Sequence, residues 1–306
     1  MNHYLTPGQL IDRRYQIIAT LQEDELKGSY LAVDTKLPQK PQCFLKIISA
    51  RESQNLLRQE AEILATLGKH PQIPALMAYS EDEGECYLAR EYISGTNLAE
   101  ELQGKRLGES VVIDILTDLL IVLEYIHSQG LIYRDLQPKH VIRRQEDGKL
   151  VLIHFQAMIG GGLIGVNRGY IPSEQMRGEA QFSSDIYAVG IIGIQGLTGV
   201  HPVEGLAVGE RGEILWQDLA MVGDGLARVL NRMTSYDWRD RYSTAQSAIN
   251  ALHRQENYTP NQSLSLSPAP ETLSPAPKKW LTLSIMVLGV ASTILIVLFI
   301  KWLISL

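Results

Sequence analysis

Residues 131–156 read LIYRDLQPKHVIRRQEDGKLVLIHFQ and hold three side chains whose types could do chemistry together: Asp135, His140 and His154. A carboxylate with two imidazoles is a donor set that suits zinc, copper or nickel. Magnesium asks instead for hard oxygens in a near-octahedral array. The plainer reading of the two histidines is that they simply pack. A second pattern, GGGLIG at residues 160–165, matches G-x-G-x-x-G after a strand-like run. A dinucleotide site would need a helix to open there, and Gly169 with Pro172 breaks the chain instead. That match is set aside.

The elements that must position these residues follow from hydrophobic period and breakers. Residues 15–21 (YQIIATL), 29–34 (SYLAVD) and 42–48 (QCFLKII) are rich in β-branched and aromatic side chains and read as three strands. Residues 52–67 place Leu56, Leu57, Ile63, Leu64 and Leu67 at helical spacing, closed by Gly68. Residues 70–74 (HPQIP) and 86–93 (CYLAREYI) fit two more strands. Residues 110–129 put Val112, Leu116, Leu119, Leu123 and Ile126 on one helical face ended by Gly130, and that face is expected in the core. Cys43 and Cys86 form no C-x-x-C pair and have no histidine at zinc spacing, as expected of thiols in a reduced compartment.

Taken in order, these segments resemble the protein kinase superfamily, in its bacterial eukaryotic-like serine/threonine type. Tyr133-Arg134-Asp135 with His140 stands where that family has H-R-D-x-x-x-x-N, and His154-Phe155-Gln156 where it has D-F-G. Lys46 matches the lysine of V-A-I-K, and Glu60 in RQEA matches its ion-pair partner. Glu91 falls at the inter-lobe hinge, so Lys46, Glu60 and Glu91 are the ATP-site positions and Asp135 is the base position. Pro172-Ser173-Glu174 replaces A-P-E, Asp185 opens the large buried helix, and Arg241 is the partner of Glu174. The resemblance runs from about residue 15 to residue 253.

The departures concentrate where phosphate, metal and adenine would bind. Gln22, Asp24 and Lys27 stand at the three glycine positions of the phosphate loop, and residues 23–25 (EDE) would repel a polyphosphate. Phe44 replaces a small residue that packs on adenine. His140 and His154 replace the two magnesium ligands, Gln137 the lysine that touches the γ-phosphate, and Asn167 a threonine of the same network. Residues 157–171 contain no Ser or Thr to be phosphorylated. The retained residues (Lys46, Glu60, Asp135, Glu174, Asp185 and Arg241) hold the two lobes together or can do so without metal, and the lost ones would bind phosphate, magnesium or the reacting group.

At 306 residues and a formal net charge of −6, the chain has no basic surplus for nucleic acid. Residues 280–300 (WLTLSIMVLGVASTILIVLFI) carry no charge and would form a helix of roughly 31 Å, enough to span a bilayer. With no signal-peptide layout at the start, an N-terminus-in tail anchor is expected. The fold expectation is α+β: a bilobal kinase-like fold with a small β-rich lobe, a helical lobe and one C-terminal transmembrane helix. The boundaries are an extension at 1–14, a kinase-like domain at 15–254, a Pro/Ser-rich linker at 255–279, a span at 280–300 and a tail at 301–306. The expected function is a membrane-tethered pseudokinase with its domain in the cytoplasm, partnered by another protein and needing no cofactor. The alternatives are a weak or atypical serine/threonine kinase using ATP and magnesium through Lys46 and Asp135, and a transition-metal sensor built on Asp135, His140 and His154.

Overall fold

The computed structural model describes residues 5–23, 27–48, 51–82, 85–159 and 169–256. Residues 24 and 25 of the acidic turn, Asn167, the linker beyond residue 256, the apolar run at 280–300 and the tail at 301–306 lie outside them. Among the described residues no helix is long and apolar enough to cross a membrane.

The chain opens with strands β1 (Leu10–Ile11), β2 (Tyr15–Glu23), β3 (Lys27–Asp34) and β4 (Gln42–Ile48). Helix α1 (Arg51–Leu67) follows, then β5 (Leu76–Asp82) and β6 (Glu85–Glu91). These strands form one antiparallel sheet in the order β1-β2-β3-β4-β6-β5. Part of the expected N-terminal extension thus joins the sheet, with Ile11 paired to Tyr15. Alternation sorts the two faces of β4: Cys43 and Leu45 are buried with Tyr15, Ile17 and Ala32, while Phe44 and Lys46 point to the opposite side. Helix α1 buries Leu57, Ala61, Leu64 and Leu67, a stripe at helical spacing that covers that opposite side.

One expected strand is absent. Residues 70–74 form turns, and the strand begins only at Leu76. Pro71 and Pro74 have no N–H to give a ladder, and Gln72 is buried, its amide donating to the carbonyls of Asp118 and Leu150 (3.0 and 2.9 Å).

The helical part begins with β7 (Gly95–Asn97), α2 (Leu98–Leu102) and α3 (Glu109–Ser128). It continues with β8 (Val141–Arg144), β9 (Leu150–Leu152), α4 (Ser173–Met176), α5 (Phe182–Thr198), α6 (Asp224–Met233) and α7 (Ala245–Glu256). A small sheet in the order β7-β8-β9 carries the chain back and forth beside α3. The expected α3 face is buried at all five named positions. Helix α5 is buried nearly all round, from Ser183 to Thr198 apart from Tyr187, so it is the central post of this half. Gly193 lets its neighbours close in, since a Cβ there would meet Leu230 Cδ2 at 2.9 Å and Leu116 Cδ2 at 3.0 Å.

Two ion pairs pin the frame. Arg241 Nη1 lies 2.7 Å from Glu174 Oε1, with both side chains 1% exposed, and Ser184 Oγ donates to the same oxygen at 2.8 Å. In the sheet, Arg14 holds the buried Asp34 at 2.7 Å, and its hydrogen bond depresses the Asp34 carboxyl below the ordinary 3.8. Removing one partner of a buried pair strands the other, so Glu174→Ala or Arg241→Ala should cost about 3–5 kcal/mol in urea unfolding. The double variant should cost less than the sum of the singles. For Asp34 the sign follows from its lowered folded value: its contribution is present above the unfolded pKa and lost as pH falls through the folded one. The stability gap between wild type and Asp34→Asn should stay flat from neutral down to about pH 5 and close below that.

Candidate functional site

The loop before β8 is set by a buried carboxylate beneath it. Asp185, in the first turn of α5, accepts from the backbone N–H groups of Tyr133 and Arg134, both at 2.8 Å. His127 Nε2 lies 2.8 Å from the same carboxylate. Arg134 takes a left-handed φ of +68°, unfavourable for a residue with a Cβ, and the two hydrogen bonds to Asp185 hold it there. That turn delivers Asp135, 8% exposed, as the next residue. Tyr133 is fully buried, stands edge-on to Phe155 with ring centres 5.7 Å apart, and accepts from the His154 N–H at 3.4 Å. The loop and the end of β9 are thereby tied together.

Around Asp135 the three residues flagged by type do converge. Its Oδ2 lies 3.1 Å from His140 Nδ1 and 3.2 Å from His154 Nδ1. Its Oδ1 accepts from Gln137 Nε2 at 2.6 Å. The two imidazoles stack, with centres 4.2 Å apart and planes inclined by 15°. Burial alone would raise the Asp135 carboxyl, but the adjacent imidazoles of His140 and His154 outweigh it and hold the group well below the usual carboxylate range. Oδ1 of Asp135 is thus occupied by an amide, and Oδ2 faces two imidazoles.

On the sheet side, Lys46 Nζ lies 2.9 Å from Glu60 Oε2 on α1, an ion pair between strand and helix. Two residues earlier on the same face, Phe44 is paired in register with Arg90 on β6. The Arg90 guanidinium lies 4.2 Å over the Phe44 ring, and its Nη2 donates to the Ile153 carbonyl at 3.0 Å. Arg90 is 5% exposed; burial pulls its guanidinium down to about 10, with Glu60 opposing that shift. Its Nε has no hydrogen-bond partner. Glu91, the other expected site position, is half-buried, and its carboxylate accepts from the Ala75 N–H at 3.2 Å.

Sequence reasoning passed over Arg90 and Gln137 as structural actors. The signal for Arg90 was available: Cys86, Leu88 and Arg90 alternate onto one face of β6, and a charge on a face otherwise apolar needs an explanation. Of the phosphate-loop positions, Gln22 is exposed at the end of β2, and residues 24 and 25 lie outside the described residues.

A two-lobed arrangement with an antiparallel sheet, a single helix behind it and a loop anchored by a buried helix is what the resemblance implied. A family profile described as "Protein kinase domain" matches residues 39–267. The chain belongs to the protein kinase family. Its relatives include serine/threonine-protein kinase PknA of Nostoc sp., 36% identical over 268 residues, covering 80% of this chain and 48% of that protein. Serine/threonine-protein kinase B of Synechocystis sp. is 34% identical over 268 residues, covering 79% and 46%. This kinase-family chain therefore spans about half the length of the curated relatives it matches.

Proposed function

We propose that this chain is a membrane-tethered pseudokinase, a signalling scaffold or allosteric partner of another protein, with phosphoryl transfer lost or severely impaired. One observation carries the reading: Asp135 Oδ1 accepts from Gln137, and Oδ2 lies 3.1 and 3.2 Å from the imidazole nitrogens of His140 and His154. The group that serves the family as base faces two imidazoles. Those donors do not fit magnesium, which takes hard oxygen ligands and keeps several waters. The adenine side does not fit either, because the Phe44 ring and the Arg90 guanidinium are stacked in register on that face of the sheet. Metal stabilisation supplies several kcal/mol in phosphoryl transfer, and losing about 4 kcal/mol slows a reaction roughly a thousandfold.

The tether rests on the uncharged run at residues 280–300, with Lys278 and Lys279 before it, which fits a domain kept in the cytoplasm. The acidic balance of the chain favours a protein partner over nucleic acid. A second reading is favoured by the Lys46–Glu60 pair at 2.9 Å. It is the arrangement a working kinase would keep, and the named relatives are serine/threonine kinases. On that reading the chain is a weak or atypical serine/threonine kinase that binds ATP with magnesium.

Nucleotide titration separates the two. Wild type should show no ATP-dependent rise in melting temperature, with or without magnesium. Phe44→Ala combined with Arg90→Met removes the ring and the buried charge. Relief of overpacking alone is worth about 1–3 kcal/mol, so the double variant should bind adenine nucleotide roughly 5- to 150-fold more tightly. Low-micromolar binding of ATP by wild type in magnesium would put the kinase reading ahead.

A further inference from the structure

The residues that disqualify magnesium form a coherent set for a different ion. We infer that Asp135, His140 and His154 bind one divalent first-row transition ion, with zinc as the representative. The inference rests on the reading that these positions no longer serve magnesium.

The spacing supports it. Asp135 Oδ2 is 3.1 Å from His140 Nδ1 and 3.2 Å from His154 Nδ1, and one ligand atom from each of the three residues lies within 4.8 Å of the others. A tetrahedral zinc ion with bonds of about 2.0–2.2 Å needs ligand atoms about 3.3–3.6 Å apart. The two carboxylate–imidazole edges are therefore within a few tenths of an ångström of what such an ion spans. His154 Nδ1 is buried at the atom yet makes no hydrogen bond, although it stands 3.2 Å from the carboxylate. Its approach to Oδ2 is close without being aligned as a donor.

The surroundings have the features of a supporting shell. Gln137 Nε2 binds Oδ1 at 2.6 Å and turns Oδ2 to the imidazoles, orienting the carboxylate with a neutral amide that adds no competing charge. His140 Nδ1 is also 3.0 Å from the Asp135 carbonyl, a contact that an Nδ1–H would make and that loading gives up when this nitrogen loses its proton to take the ion. There is an entry path on one side: the His154 side chain is 33% exposed, against 13% for His140. Two near-parallel rings cannot both aim an in-plane lone pair at one ion, so loading turns the more exposed His154 out of the stack. Three protein ligands leave a fourth position open to water or another donor, as in zinc sites that are not purely structural.

The test uses the full-length chain, stripped of metal and titrated with Co2+, whose tetrahedral complexes absorb in the visible. The expected result is one Co2+ per chain, displaced by Zn2+ and unaffected by excess Mg2+. His154→Gln and His140→Gln, each checked for native fold by circular dichroism and thermal melting, should weaken binding. The loss should be at least the roughly 10- to 100-fold that removing a mere supporting partner costs a metal site. His201→Ala, outside the cluster, should leave binding unchanged. No visible band on Co2+ addition, or equal affinity in wild type and both folded histidine variants, would overturn the inference. The two readings fail separately: magnesium-dependent ATP binding contradicts the proposed function, whereas loss of the Co2+ signal contradicts only the ion site.

Discussion

The carboxylate of Asp185 is the constraint on which the rest of the site depends. It is buried on a helix that is itself core, and it accepts the N–H groups of two successive residues in the loop above it. Hydrogen bonds to a charged acceptor are each worth about 1.5–3 kcal/mol, enough to hold the strained backbone of Arg134, a cost of about 1–3 kcal/mol. With that turn fixed, the Asp135 carboxylate is oriented by the Gln137 amide on Oδ1. The neighbouring Glu174–Arg241 pair ties the segment before α5 to the loop before α7, so the same half of the molecule is fastened at two depths.

Around Asp135 and Arg90 this frame fills the site with its own side chains, leaving Arg90 Nε and His154 Nδ1 without hydrogen-bond partners. A carboxylate that would otherwise need a cation has two imidazoles and an amide. A sheet face that would otherwise lie open has a phenyl ring under a guanidinium. Both arrangements bury charge, and buried charge persists only when it is paired or hydrogen-bonded. Arg90 is the costlier of the two, because it has a ring and carbonyl oxygens for company, with one nitrogen left unpartnered.

Much of this was legible along the chain. The period of residues 42–48 placed Lys46 and Phe44 on one face, and the five apolar positions of α3 are all buried as their spacing required. The ordered motifs pointed to the kinase family that the profile and relatives establish. Two things were not legible. The run HPQIP looked strand-like by composition, but its prolines and the inward hydrogen bonds of Gln72 make it a turn. The Phe44–Arg90 stack depends on the register between β4 and β6, which is settled by pairing across the sheet and not by either segment alone. Likewise, residue types could nominate Asp135, His140 and His154, but only the folded loop shows that they meet.

The protein kinase frame is established, and we propose that the site it holds does not transfer phosphate. The most direct measurement is transfer of the radiolabelled γ-phosphate from ATP in magnesium, to the chain itself and to a generic protein substrate, for wild type beside Asp135→Asn. The account predicts that the two proteins are indistinguishable and both at background. Incorporation by wild type that Asp135→Asn abolishes, in a variant that remains folded, would contradict it.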